Sequence, residues 1–328
     1  MAEDLLRVEN LRVGFGRPGR EQVAVDGVSF TLAPGEVLGI VGESGCGKSV
    51  TALSILGLIP DPPGRIVGGR ILLRGQDLAG IDEKTMNRIR GKDISMIFQE
   101  PMTALNPVFR VGEQISETLR VHEGLSRSQA RARALQLIEK VGISNPEQRL
   151  DQYPHELSGG MRQRIMIAIA LACGPQILIA DEPTTALDVT IQAQILVLLR
   201  DLQREMGMAV VLITHDLGVV AQVVDRVVVM YAGRIVEEGS VAAVFARPSH
   251  PYTRLLLESI PLLEGRQERL RTIPGMVPSL SNQPAGCRFH PRCPDARPAC
   301  QERAPASFDV GPGHRAACIA LNGYRHEA

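Results

Sequence analysis

Runs of apolar residues alternate with helical patterns along most of the chain. Apolar runs without polar interruption are typical of parallel strands that are buried on both faces. They predict strands at residues 36–41, 177–180 and 209–213. Amphipathic patterns between these strands predict helices at residues 48–58, 127–141 and 191–206. Because strands and helices alternate, we expect an α/β fold with a parallel sheet at its core.

Two further regions complete the predicted organisation. Residues 5–15 and 25–32 have the pattern of antiparallel strands, which would form a β subdomain beside the parallel sheet. After residue 246, proline and cysteine become frequent and helical periodicity weakens. We therefore predict a core domain at 1–246, with a helical subdomain at about 100–165, and a Cys/Pro-rich appendage at 247–328.

Charge and hydropathy argue against a nucleic-acid-binding, a membrane-spanning and a secreted protein. The 36 basic residues balance 36 acidic ones, so no net field favours nucleic acid as a partner. The longest uncharged apolar stretch, 165–180, is shorter than the roughly 20 residues that cross a bilayer. The first residues carry two acids and no apolar run, so we expect no secretory signal and no disulfide framework among the six cysteines.

A phosphate-binding loop is predicted directly after the first parallel strand. The segment Gly42-Glu-Ser-Gly-Cys-Gly-Lys48-Ser49 matches G-x-x-x-x-G-K-[ST] at every position. Its glycines let backbone N–H groups face phosphate oxygens, and the following helix N-terminus adds partial positive charge. Lys48 would bridge the β- and γ-phosphates, and the Ser49 hydroxyl would bind Mg²⁺. The residues expected to contact ATP here are Gly42, Glu43, Ser44, Gly45, Cys46, Gly47, Lys48, Ser49 and Val50.

A pair of acids follows the second parallel strand. Asp181 lies at the carboxyl end of the apolar run, where ligands bind in open α/β sheets, and is expected to hold the Mg²⁺ shell. The adjacent Glu182 is expected to orient and deprotonate the water that attacks the γ-phosphate. An apolar run that ends in two acids is by itself an ordinary strand end. The P-loop upstream makes the catalytic interpretation the favoured one.

A third motif, Leu157-Ser158-Gly159-Gly160-Met161, indicates the class of P-loop protein. Ser158 can cap a helix whose first residues, Gly159 and Gly160, expose backbone N–H groups to an anion. With this motif shortly before the Asp-Glu strand, the sequence resembles the ATPases of ATP-binding-cassette (ABC) transporters. The resemblance implies a P-loop (RecA-like) fold with residues 1–246 as the ABC nucleotide-binding domain. It also implies that Ser158, Gly159 and Gly160 contact the ATP held by a second ABC subunit.

The same resemblance assigns further residues. Gln99 matches the glutamine that contacts Mg²⁺ and senses the membrane partner. His215 matches the histidine that contacts the γ-phosphate, and Ala186-Leu187-Asp188 matches the family's D-loop. Phe15 is the aromatic residue expected to stack on adenine.

Over its whole length the chain is most similar to the D-type ATPases of dipeptide, oligopeptide and nickel importers. The segments that indicate this branch are 48–60, 102–107 and 250–256. The resemblance implies a peripheral ATPase at the cytoplasmic face of the cell membrane. Its partners would be two permease subunits, an extracytoplasmic substrate-binding protein and a second ABC subunit, either an F-type relative or another copy of this chain.

Four cysteines of the appendage follow the spacing C-x5-C-x6-C-x17-C: Cys287, Cys293, Cys300 and Cys318. Four thiolates suit a tetrahedral zinc ion or an iron–sulfur cluster. No C-x2-C pair is present, so the residues alone leave free thiols and disulfides open as well. The resemblance to peptide-importer ATPases implies a [4Fe–4S] cluster at these positions.

An alternative function belongs to another class, that of ABC ATPases acting on nucleic acid or the ribosome. The chain has one P-loop, no coiled-coil insertion and no block of basic charge. These features favour a transport ATPase with no nucleic-acid partner. Among transport cargoes, nickel is the alternative to peptides.

Overall fold

The structure is a computed structural model that describes residues 4–99, 104–185, 187–259 and 272–321. Internal contacts divide the chain into two compact units. The first consists of Met1–Leu32, Val37–Ala79 and Thr214–Ala328, and the second of Ala33–Glu36 and Gly80–Ile213. The domain boundary at residue 246 stays a prediction.

The strands and helices are numbered here in chain order. The strands are β1 (Leu6–Phe15), β2 (Gln22–Leu32), β3 (Val37–Val41), β4 (Gly64–Leu73), β5 (Gln76–Asp77), β6 (Ile94–Ile97), β7 (Ile177–Asp181), β8 (Ala209–Thr214), β9 (Arg226–Tyr231), β10 (Arg234–Ser240), β11 (Phe308–Gly311) and β12 (His314–Ala316). The helices are α1 (Lys48–Ile55), α2 (Glu83–Ile89), α3 (Val111–Glu123), α4 (Arg127–Lys140), α5 (Pro146–Leu150), α6 (Gly159–Ala170), α7 (Val189–Met206), α8 (Leu217–Val223), α9 (Val241–Ala246), α10 (Pro251–Glu258) and α11 (Ala299–Glu302).

The first unit contains an antiparallel sheet in the order β2-β1-β4-β5. Along β1, side chains alternate between buried and exposed, as expected of a strand with one face on the core. The predicted β subdomain is therefore confirmed. A second set of strands in this unit has the order β11-β12-β10-β9-β3, in which β3 and β9 run parallel.

The predicted Cys/Pro-rich appendage at 247–328, called the C-terminal extension from here on, contributes β11 and β12. The sequence did not predict these two strands. Glu237 of β10 pairs with Ala316 of β12, and β12 pairs in turn with β11. These strands have three and four residues, too few for an apolar alternation to stand out from its surroundings. A short 3₁₀ helix, His290–Arg292, also lies in this extension.

The second unit contains the parallel strands β8-β7-β6. Every residue of β7 and β8 is buried, which agrees with their unbroken apolar sequences. Helices α3 to α6 form the predicted helical subdomain, and Ser126 and Gln129 close the start of α4 with a reciprocal capping box. Among helices in the described ranges, none combines the length and apolar character needed to cross a membrane.

Candidate active site

The P-loop of the first unit lies between β3 and α1. Gly42 has a φ of 149°, and a side chain at this position would collide with the carbonyl oxygen of Met230, so only glycine fits. Gly47 is the N-cap of α1, which begins at Lys48. The helix was predicted to reach residue 58 but ends at Ile55, because Gly57 turns the chain with a φ of 58°.

The Lys48 ammonium is buried within the loop. Its side chain is 4% exposed, and Nζ donates to the carbonyl oxygens of Gly42 at 2.8 Å and Glu43 at 3.1 Å. Ser49 and Val50 follow in the first turn of α1. Cys46 lies beside Lys48, and burial raises the pKa of its thiol although the nearby ammonium opposes this. The loop thus presents an ammonium bonded to neutral oxygens at the start of a helix.

Glu43, inside the P-loop, is bonded to residues of the C-terminal extension. Its carboxylate forms a two-point ion pair with Arg292, at 2.7 and 2.9 Å, and its backbone N–H donates to Tyr252 Oη at 2.8 Å. Burial opposes the charge of Arg292, but the bonds to Glu43 and Tyr231 outweigh it and raise the pKa of this guanidinium. The sequence did not predict Arg292 and Tyr252 as partners of Glu43, because no local pattern links positions so far apart in the chain.

In the second unit, the structure brings Glu182 and Gln99 together. Glu182 directly follows the buried Asp181, has a φ of 47°, and is tied to β8 by a bond from its N–H to the carbonyl oxygen of Ile213. Its Oε2 accepts from Gln99 Nε2 at 3.0 Å and from Thr185 Oγ1 at 2.9 Å. A non-glycine residue is uncommon in this backbone region.

The Leu157–Met161 motif lies at the start of α6, also in the second unit. Ser158 is the N-cap, and its hydroxyl accepts from the N–H of Met161 at 3.4 Å. Ser158 and Gly159 are exposed. At Gly160 a side chain would press against Ile191 of α7. The predicted cap is therefore present, at an exposed helix start.

The remaining predicted residues are His215 and Phe15 of the first unit and the D-loop at residues 186–188. His215 is exposed and follows β8, and the next residue, Asp216, caps α8. Phe15 is half-buried at the end of β1, where its ring packs against Gly64. In the D-loop, Asp188 is the N-cap of α7, whereas Ala186 lies outside the described residues, as do residues 100–103.

The four appendage cysteines do not form the predicted metal site. Within the described part of the chain, no group of three or more His, Cys, Asp or Glu side chains is arranged to hold a metal ion. All four are free thiols. Burial raises the pKa of Cys287 and Cys318, and that of Cys293 to about 11. The predicted iron–sulfur cluster is wrong, and nothing supports zinc in its place.

Comparison with solved structures defines the class of protein. The chain is similar to the dimeric ATP-binding cassette MJ0796, solved in a post-hydrolysis state bound to ADP and Pi. The match has a TM-score of 0.64 and 28% sequence identity, and covers 72% of this chain and 98% of that cassette. The predicted fold class is confirmed: this is the mixed α/β fold of an ATP-binding cassette.

Sequence comparisons give the family. The ABC transporter domain matches residues 25–185, and the oligopeptide/dipeptide transporter C-terminal region matches residues 236–300. A probable peptide ABC transporter ATP-binding protein of Sinorhizobium fredii is 56% identical, over 98% of this chain and 96% of that protein. The dipeptide transport ATP-binding protein DppD of Escherichia coli is 51% identical, over 96% of each. The chain belongs to the ATP-binding proteins of ABC transporters, so it is an ATPase whose cofactors are ATP and Mg²⁺.

Proposed function

We propose that this chain hydrolyses ATP to drive the import of dipeptides or oligopeptides through permease subunits. The observation that carries the proposal is similarity along the whole chain, C-terminal extension included, to proteins named for peptide transport. A cassette fold by itself serves many cargoes, so the end-to-end similarity supports peptides more than the fold does.

The P-loop holds the phosphates of ATP in this proposal. The cradle fits them, because the backbone at Gly42 leaves no space for a side chain and Lys48 is bonded to neutral carbonyl oxygens. Exchanging those oxygens for anionic phosphate oxygens would strengthen the bonds of the ammonium. Ser49 would supply a hydroxyl to Mg²⁺, and Phe15 would stack on adenine.

Glu182 is the proposed general base for hydrolysis. Its carboxylate is already oriented by hydrogen bonds from Gln99 and Thr185, so it does not have to be ordered when a water is to be positioned. Asp181 and Gln99 would complete the protein ligands around Mg²⁺, together with Ser49. His215 would hold the γ-phosphate in line with the attacking water.

The start of α6 is the proposed second half of a composite site. Ser158, Gly159 and Gly160 would contact the ATP bound to the P-loop of a second ABC subunit, either an F-type relative or another copy of this chain. The exposure of the cap and the dimeric state of the solved cassette support this role. A helix N-terminus is suited to a phosphate, because its backbone N–H groups and helix dipole favour negative charge.

The second unit also offers a surface for the permease subunits. Three of its large apolar side chains, Phe98, Val108 and Phe109, are 42%, 71% and 50% exposed. Exposed apolar side chains are typical of protein contact sites when they form a patch. Docking of a permease here would place the chain at the cytoplasmic face of the membrane as a peripheral subunit. An extracytoplasmic binding protein would deliver the peptide to the permeases.

Reconstitution tests this function. The full complex, with its permeases and binding protein, is placed in lipid vesicles and assayed for peptide uptake and ATP hydrolysis. We expect both to rise together when a dipeptide or oligopeptide is supplied, and both to stop in the Glu182→Gln variant. ATP hydrolysis that responds to nickel and not to any peptide would reject the proposed cargo.

A further inference from the structure

The C-terminal extension contacts the P-loop within the first unit. Arg292, the last residue of the 3₁₀ helix at His290–Arg292, donates from both terminal nitrogens to the Glu43 carboxylate. The side chain of Arg292 is 5% exposed and that of Glu43 is 29% exposed. An ion pair this buried, with two parallel bonds, has a defined geometry that a surface pair lacks.

The backbone of Glu43 is held as well. Its N–H donates to the hydroxyl of Tyr252, in α10, and its carbonyl oxygen accepts from Lys48 Nζ. Residue 43 is therefore fixed through its N–H, its carbonyl and its side chain. We call Tyr252 and Arg292 the P-loop clamp, because both belong to the C-terminal extension and both bind this one residue.

The clamp is itself rigid. Arg292 Nε donates to the carbonyl oxygen of Pro274 at 2.8 Å, and Nη1 to Tyr231 Oη at 3.3 Å. Tyr231, Tyr252 and Phe289 are fully buried, with ring centroids 4.7 to 5.3 Å apart. A guanidinium anchored at several atoms beside a packed aromatic cluster transmits the position of the extension to the loop, since neither side can shift freely.

We propose that Arg292 is a positioning residue that, through Glu43, holds the P-loop in its phosphate-binding conformation and so sets the affinity for nucleotide. This rests on the proposed role of Lys48 and its loop as the ATP site. Ordering a flexible loop residue costs conformational entropy. A clamp that meets this cost before ATP arrives tightens binding, and it leaves the hydrolytic step to other residues.

The test measures the Kd of ATP and of ADP for the purified full chain, and kcat and KM in the assembled transporter. Arg292→Gln and Glu43→Gln are each expected to raise both Kd values and KM about tenfold, with kcat within about twofold. Arg292→Lys, which keeps the charge but loses the two-point geometry, is expected to lie between wild type and Arg292→Gln. The double variant is expected to be no worse than either single one, because the two residues form one interaction.

Arg254→Gln is the matched control. It breaks an exposed ion pair with Asp295, at 2.7 Å, within the same extension, and is expected to leave nucleotide affinity unchanged. Lys48→Ala separates the two proposals: lost ATP binding in this variant with wild-type affinity in all clamp variants overturns the clamp and keeps the ATP site. Additive effects in the double variant, or an equal loss in Arg254→Gln, would also overturn it. Should Arg292→Gln fail to fold, Arg292→Lys and Glu43→Gln decide the matter by the same criteria.

Discussion

Two helix N-termini of this chain are suited to phosphate, and they are built differently. At α1 the glycine loop is buried, Lys48 is 4% exposed, and the carbonyl and N–H of Glu43 are both bonded. At α6 the cap is exposed, and the Ser158 hydroxyl accepts a long bond, 3.4 Å, from the N–H of Met161. The loop before α1 is held by other residues of the same chain, including Tyr252 and Arg292 of the C-terminal extension. The start of α6 is exposed, so a second subunit could contact it.

In the proposed function, this contrast explains why one cassette has two helix N-termini suited to phosphate although it binds a single nucleotide. A buried, preorganised loop binds with little ordering cost, so it can capture ATP alone. An exposed cap gains little until a second subunit brings a charged ligand to it and excludes water. Binding and hydrolysis are then expected to separate: the first belongs to one chain, the second to an assembly.

The largest effect is expected from a substitution that removes the proposed general base and leaves both helix N-termini unchanged. Glu182→Gln should lower ATP turnover about 1000-fold, since the loss of a general base costs on the order of 10²–10⁴. ATP affinity should stay within about twofold, because Glu182 is not part of the P-loop. Equilibrium ATP binding and steady-state phosphate release measure the two quantities. Glu205→Gln, at an exposed ion pair with Lys140, is the control; retained turnover in Glu182→Gln would refute the assigned role.

The next largest effect is expected at the buried N-terminus of α1, and it tests whether this end alone binds ATP. Lys48→Ala should weaken ATP binding about 300-fold, since hydrogen bonds to charged groups contribute roughly 1.5–3 kcal/mol each and Lys48 is expected to make two. Isothermal calorimetry on the single chain measures this. Lys140→Ala removes a surface ammonium that pairs with Glu205 and should bind ATP normally. Equal affinity in the two variants would show that the loop is not the ATP site.

A smaller effect is expected at the exposed end. Ser158→Arg should lower turnover of the assembled transporter about 30-fold, the loss of one charge-assisted bond, and should leave ATP binding to the single chain unchanged. Ser240→Arg removes an equivalent N-cap, from α9, and should alter neither quantity. If Ser158→Arg weakened ATP binding to the isolated chain, the contrast between the two helix ends would be wrong.

The smallest predicted effect concerns acid stability of the clamp region. Burial lowers the pKa of His250 to about 3 from its ordinary 6.5, and its Nδ1 accepts the N–H of Tyr252 at the start of α10. The unfolded chain binds more protons between these values, so the free energy of unfolding rises with pH across this window and falls in acid. Denaturant titrations at about pH 4 and about pH 7 should show a smaller difference in His250→Asn than in wild type. An unchanged difference would contradict this.

The sequence predicted those features of the fold and the site that depend on residues close together in the chain, and it missed those that depend on distant ones. The P-loop, the acid pair and the serine cap each lie within a few residues of a strand or helix end, and their motifs predicted their places in the fold. The Arg292–Glu43 pair joins positions 249 residues apart, and no periodicity or spacing reports a contact of that range. The short strands β11 and β12 were missed because they depend on β10 as a template.

The cysteine appendage shows the opposite error. Four cysteines in a short, proline-rich segment suggested a cluster, yet spacing does not determine whether buried thiols converge on one point or lose their protons. In the described residues they form no metal-holding group. The extension is ordered by other means, including the ring cluster of Tyr231, Tyr252 and Phe289 and an ion pair from Arg288 to Asp26.

The most direct measurement is the structure of the complete transporter trapped with ATP in its Glu182→Gln form. We expect Lys48 of this chain within hydrogen-bond distance of one nucleotide's terminal phosphates, and Ser158 of this chain within that distance of the other nucleotide, bound by the second ABC subunit. Finding Ser158 in bulk solvent, or no phosphate against Lys48, would contradict the account.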